Sequence, residues 1–286
     1  MVYLTFSDTS SWTDSCGFGC ASLGLEAKMY SKDSGSAIWS TPLDGIVFSG
    51  TYTQVLEQIA EIRSTIQAAV ILFGNAGGEN VFMSSIRQLL SCPMVGGGAA
   101  IDSITGKSAL ITGGGEVAVL LITDNRFKFT AQTRNIHSKI IEDCDLTLSD
   151  PRTLLAINGV DAAKFLADYK EKLGICKNDF EHLTLCDEHG INAHLSCTDG
   201  VIKSGRDLAP KMHLRYVDHK DVYDQIRAFY SDPHSLVFGC AGLGGLLDDK
   251  LNTDSLGLFL FGEVCTVDGF ADFGNLMLSK LCIQNK

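Results

Sequence analysis

The feature that most limits how this chain can fold occurs twice: a short apolar run that stops in a cluster of glycines. Ala68–Phe73 runs into Gly74-Asn75-Ala76-Gly77-Gly78, and Ser235–Phe238 runs into Gly239-Cys240-Ala241-Gly242-Leu243-Gly244-Gly245. Runs this short are strands rather than helices, and strands without alternating polar residues are buried on both faces. Each run follows an amphipathic stretch. Val55, Ile59, Ile62 and Ile66 fall on one stripe of a helix predicted over 51–67, with Thr51 or Thr53 as its cap. Val222, Ile226 and Phe229 or Tyr230 mark a second such helix. Arg63 stands ten positions before Phe73, and Arg227 eleven before Phe238. The spacing predicts an α/β fold, mixed α+β, of two pseudo-related modules. Each module is helix, buried strand, glycine turn and helix plus antiparallel strands, and the two pack together. Asp150-Pro151 marks a boundary, which divides the chain into 1–149 and 150–286.

Other segments fill in this outline. A helix is expected over Val81–Leu90, with Phe82, Ile86, Leu89 and Leu90 inward. A short strand leads into Gly96-Gly97-Gly98, and Ser108–Thr112 and Glu116–Ile122 flank Gly113-Gly114-Gly115 as a hairpin. A helix is expected from about Asp161 to Leu173, then antiparallel strands over 180–217 with turns at Asp187–Gly190 and Thr198–Gly200. Gly257–Phe261 and Leu276–Leu281 read as the closing strands.

Composition narrows the function. With 23 basic and 34 acidic residues the formal charge is −11, which repels a phosphate backbone, so no nucleic-acid partner is expected. No apolar run approaches the ~18 residues of a membrane helix, and MVYLTFSDTS has neither a basic start nor an apolar h-region. A cytoplasmic protein without membrane insertion is the expectation, and its ten cysteines are then reduced and mostly structural.

Chemistry is expected where strands end in glycines, since free N–H groups at a helix start favour anions. Neither joint carries the Gly-Lys-Ser/Thr of a phosphate loop or a dinucleotide fingerprint, so a nucleotide is not expected. Cys240 lies between an apolar strand and an expected helix, whose dipole can lower its pKa, although a packing or pocket-lining thiol is the reading preferred over a catalytic one. The nearest histidine in sequence, His234, stands roughly 20 Å away along an extended strand. His182, Cys186, His189, His194 and Cys197 form a His/Cys-rich stretch that splits across a sheet and lacks zinc spacing, so no metal is expected. Glu263, at the mouth of an apolar strand, Asn275, before the last strand, and Asp102, after the glycines of the first half, complete the polar candidates.

The C-terminal run Gly257-Leu258-Phe259-Leu260-Phe261-Gly262-Glu263, followed by Phe270-Ala271-Asp272-Phe273-Gly274-Asn275, resembles the closing signature of the FIST (F-box and intracellular signal transduction) family. Leu155–Gly159 with Ala162–Tyr169, Leu208-Ala209-Pro210 before His213–Tyr216, and Val237–Gly242 are similar to its C-terminal part. Val70–Phe73, Phe82–Leu90 and Pro93–Gly98 with Asp102 are similar to its N-terminal block. The resemblance spans roughly 45–286. It implies N- and C-terminal FIST domains and a non-enzymatic sensor that binds a small molecule, such as an amino acid or related metabolite, and signals through a partner protein. The expected lining is Gly97, Asp102, Gly239, Cys240, Glu263 and Asn275. The alternatives are a haem-binding gas sensor, with an axial ligand from His137, His182, His194, His213 or a cysteine, and a thiol enzyme using Cys240.

Overall fold

The computed structural model describes residues 1–8, 17–22, 24–26, 36–38, 42–74, 77–99, 111–175, 182–217, 219–232, 234–246, 256–260 and 262–286. The chain opens with β1 (Leu4–Asp8), β2 (Phe18–Ser22), β3 (Gly24–Glu26) and β4 (Ser36–Ile38). A first α/β unit follows: β5 (Gly45–Gly50), α1 (Tyr52–Ala60), β6 (Ala68–Phe73), α2 (Glu79–Leu89), β7 (Met94–Gly98) and β8 (Val117–Ile122). After β9 (Phe127–Arg134) comes a segment of β10 (Lys139–Asp150), β11 (Thr153–Ile157), β12 (Val160–Asp161), α3 (Ala162–Leu173), β13 (Leu183–Cys186), β14 (Asn192–Ala193), β15 (Leu195–Thr198), β16 (Val201–Ser204) and β17 (Lys211–Tyr216). The chain closes with α4 (His219–Phe229), β18 (Ser235–Cys240), β19 (Leu256–Leu260), β20 (Glu263–Val267), β21 (Phe270–Gly274) and β22 (Leu278–Asn285). The fold is mixed α/β.

The two glycine-ended strands sit at matching places in two sheets. One sheet runs β21-β20-β7-β6-β8-β5 and the other β3-β19-β18-β22-β9. In each, the glycine-ended strand lies parallel to the next strand in sequence, β6 to β7 and β18 to β19. In each, its other neighbour is antiparallel, β8 or β22, and that neighbour pairs antiparallel with an edge strand, β5 or β9. The order β7-β6-β8-β5 therefore has the same directions as β19-β18-β22-β9, the topological form of the repeat seen in the sequence. The pairing crosses residue 150: β7 pairs with β20 and β9 with β22.

Alternation along the strands builds four layers, because successive side chains leave opposite faces. Ala68, Val70, Leu72, Ala118, Leu120 and Ile122 of one sheet share a core with Leu236, Phe238, Leu281 and Ile283 of the other. Phe6 meets Phe238 edge-on at 6.4 Å in this layer. The opposite face of the first sheet, Ala69, Ile71, Phe73, Val117, Val119 and Leu121, packs against Val55 and Ile59 of α1 and Phe82, Met83 and Ile86 of α2. The opposite face of the second, Val237 and Leu278, packs against Val222, Ile226 and Phe229 of α4. A strand with helices or a second sheet on either face has no polar side, which is why β6 is apolar throughout.

Local sequence explains where elements stop. Thr51 and Gln54 form a reciprocal capping box at the start of α1, with bonds of 3.3 and 3.0 Å. The helix ends at Ala60 rather than continuing to 67, because Arg63 turns back onto the Ala60 and Ile62 carbonyls and Gln67 N–H already pairs with Ile122. Ile62 and Ile66 still pack on the same core from outside the helix. In α2, Leu89 faces solvent, contrary to the expected inward face, while Leu90 follows the helix in extended backbone. Of the hairpin expected over Gly113–Gly115, residues 108–110 of the first arm lie outside the described residues; the second arm, β8, pairs with β5 and β6 instead, and Thr112–Gly114 is a short 3-10 turn. Among the described residues, β18 leads into a 3-10 turn, Ala241–Leu246, and not into an α-helix.

The segment from β10 to β17 has its own antiparallel sheet and its own core, with Leu166 of α3 packed on Leu185, Leu195 and Leu214. It is tied to the first sheet by buried charge. Arg206 reaches Asp187 at 3.0 Å and Asp272 at 3.5 Å, and Asp272 also meets Arg87 at 3.5 Å. Such a network specifies one docking geometry more than it adds stability, because desolvation offsets most of the attraction. Among the described residues no helix is long and apolar enough to cross a membrane.

Candidate functional site

The two glycine joints open onto one hollow of about 610 Å³. Phe73 ends β6 and Gly74 follows it, Gly98 ends β7 and Ala99 follows it, and Cys240 ends β18 with Ala241 and Gly242 after it; all line the hollow. These are carboxyl ends of parallel strands, where open α/β sheets receive ligands. Arg152, His194, Ser204 and Gly205 supply the opposite wall from the inserted segment, and Gly262, Phe273 and Asn275 complete it. A volume of this size is in the range of small-molecule sites, ~300–1,000 Å³.

Of the six residues of the expected lining, Cys240 and Asn275 line the hollow. Glu263 lies behind it, fully buried, and pairs across β20 and β7 with Gly97. Gly97 has no room for a side chain: a Cβ there would stand 2.3 Å from the Gly262 carbonyl. Gly239 lies inside the second sheet, opposite Leu278 and Phe259. Asp102 falls outside the described residues.

Glu263 and Cys240 share one low-dielectric pocket of core. Glu263 Oε1 accepts the Met277 N–H at 2.5 Å, while Oε2 has no hydrogen-bond partner among the described residues. Burial holds its carboxyl well above the ordinary glutamate value of 4.5. Burial, and then the Glu263 carboxyl beside it, push the Cys240 thiol up to about 12. This corrects the expected lowering by a helix dipole: the 3-10 turn after Cys240 provides no long helix, and desolvation decides the sign. A thiol so held is a weak donor and a poor nucleophile. Haem ligation by Cys240 would need its thiolate, which the same surroundings oppose. His194 borders the hollow, whereas His137 is buried against Asn192 and His213 pairs with Asp143. Among the described residues no group of three or more His, Cys, Asp or Glu is placed to hold a metal.

Three lining groups carry no sequence signal of the kind sought above. Glu79, the first residue of α2, turns both carboxylate oxygens back to the Gly77 N–H at 3.0 and 2.9 Å. The anion expected at this glycine joint is thus the chain's own. Arg152 binds that carboxylate at 2.7 Å and Asp207 at 2.8 Å, clamping the inserted segment over the hollow. Phe73 and Phe273 meet edge-on at 5.4 Å and form the apolar floor. The position of Glu79 directly after the glycines was the one available clue; Arg152 follows Asp150-Pro151, which reads only as a boundary.

Asn275 is presented by strained backbone. Leu276, next to it and fully buried, has φ +55, a left-handed conformation that costs a leucine about 1–2 kcal/mol. The turn is held on both sides: Asn275 N–H donates to the Asn192 carbonyl at 3.0 Å, and Met277 N–H to Glu263. Gly262, at φ +78, leaves the space Asn275 needs, since a Cβ there would stand 2.6 Å from Asn275 Nδ2.

No protein-family model matches the chain, and no curated protein does.

Proposed function

We propose that this protein is a non-enzymatic sensor that binds a small molecule in the hollow between its two α/β units and passes occupancy on to a partner protein. One observation carries the binding reading: both glycine-ended strands, from opposite halves of the chain, deliver their carboxyl ends to a single cavity of about 610 Å³. The protonated state of Cys240 favours binding over thiol catalysis. The sensory role rests on the resemblance to the FIST family, and the inserted segment clamped through Arg152 and Glu79 is the element whose position a ligand would alter.

The test is a thermal-shift screen of the purified chain against amino acids and other metabolites, repeated on Ala241→Trp, which fills the hollow from its half-buried rim. A ligand at a hundredfold excess over its Kd adds ~2.7 kcal/mol, or roughly 5 °C in Tm for a chain of this size. Ala241→Trp, folded by circular dichroism, should lose the shift. A broad library that moves neither protein would remove the proposal.

A further inference from the structure

Two side chains of the hollow keep a hydrogen-bond donor to offer, and its charged groups are engaged with one another. Asn275 is only 5% exposed. Its Oδ1 accepts the His194 N–H at 3.3 Å, which fixes the orientation of the amide. Nδ2 then makes no hydrogen bond among the described residues and lines the cavity. Ser204 Oγ accepts the Arg206 N–H at 3.2 Å and keeps its own proton to donate. Three backbone donors of the rim are already used. Gly98 N–H is bonded to Gly262, Ala99 N–H to Phe73 and Gly205 N–H to His194.

The charged groups at the hollow are already engaged with one another, one guanidinium with two carboxylates. Arg152 is shared between Glu79 and Asp207, so an incoming anion meets a cation already held by two carboxylates. An incoming ammonium meets a Glu79 carboxylate whose oxygens are both engaged by Gly77 and Arg152. Phe73, Phe273, Ala99 and Ala241 give the remaining wall an apolar character.

Resting on the reading of the hollow as a ligand site, we infer that its ligand is an uncharged carbonyl compound with an apolar body, its carbonyl oxygen received by Asn275 Nδ2 and Ser204 Oγ. A site built to donate to a carbonyl discriminates strongly against a molecule that leaves those donors unmatched.

An isosteric series tests this on the full chain: phenylacetamide, phenylacetate and 2-phenylethylamine, each titrated calorimetrically at one ionic strength. Phenylacetamide should bind at least tenfold more tightly than the acid or the amine. Asn275→Asp keeps the acceptor for His194 N–H and removes the donor, so it should weaken phenylacetamide at least tenfold. Ser204→Ala should weaken it severalfold and serves if Asn275→Asp fails to fold. Equal or tighter binding of the acid or amine, or unchanged binding in both variants, would overturn the inference. Where such binding is still blocked by Ala241→Trp, the hollow remains a ligand site and only the ligand class is wrong. If none of the three binds, the inference fails, and the metabolite screen decides separately whether the hollow binds anything.

Discussion

Replacing Glu263 by glutamine should change how stability depends on pH. Glu263 is fully buried, accepts one hydrogen bond and has a second oxygen without a partner. Its carboxyl is therefore held protonated well above the ordinary value of 4.5 in the folded chain. The sign follows from proton counting. Below 4.5 both folded and unfolded chains carry the proton, and pH has no effect through this group. Above it the unfolded chain releases the proton while the folded chain retains it. Each further pH unit then favours unfolding by about 1.4 kcal/mol, until the folded value is passed. Glu263→Gln removes this titration and keeps an acceptor for the Met277 N–H. Urea unfolding of both proteins at pH 4, 5, 6 and 7 isolates the effect, because every other titrating group cancels in the difference. The stability difference, variant minus wild type, should be smallest at pH 4 and rise above pH 5 with a slope approaching ~1.4 kcal/mol per unit. A difference that stays flat, or falls, would refute the assignment of a buried neutral carboxyl.

Three further outcomes follow from particular contacts. With its thiol pushed from 9.0 to about 12, Cys240 carries on the order of 1,000-fold less thiolate than an ordinary cysteine, so mild alkylation followed by peptide mapping should find exposed Cys197 modified well before it; early labelling of Cys240 would contradict this. Gly96→Ala places a Cβ 1.8 Å from the Ile71 carbonyl at φ +140 and should cost about 3 kcal/mol or more, whereas Gly114→Ala, at φ +63 in open space, should cost about 1 kcal/mol; equal losses of Tm would refute the packing argument. Asp124, buried and bonded to Asp44 N–H at 3.0 Å and Arg126 at 2.5 Å, is held below the usual carboxylate range, chiefly by the Arg126 side chain. Its contribution is present above the ordinary 3.8 and is lost as pH falls, so Asp124→Asn should cost about 1.5 kcal/mol at neutral pH and progressively less below pH 4.

What could be read from the sequence was whatever repeats or alternates. Ala68–Phe73 announced a strand covered on both faces, and its glycine joint matched the one after Phe238; the structure places both in equivalent positions of two sheets. The inward face of α4 followed from Val222, Ile226 and Phe229. Termination was less legible, since the stripe through Ile62 and Ile66 continues where the backbone does not, stopped by an Arg63 side chain that periodicity ignores. Within the site, Cys240 and Asn275 were marked by their places next to glycines and a strand end. Arg152, His194 and Ser204 reach the hollow only because the inserted segment docks over it through Arg206 and Arg152, a tertiary event with no local signature. The Cys240 thiol is pocket-lining, as its place in the sequence favours, but the sign of its pKa shift depends on burial beside Glu263, which no local pattern shows.

The most direct examination of the account is a crystallographic soak with a mixture of small neutral fragments. Density is expected in the hollow between Phe73, Gly98 and Cys240, with Asn275 Nδ2 donating to the bound molecule. Fragments found only elsewhere, such as the acidic groove beside Asp143 and Glu188, with the space next to Cys240 closed by the protein's own side chains, would contradict it.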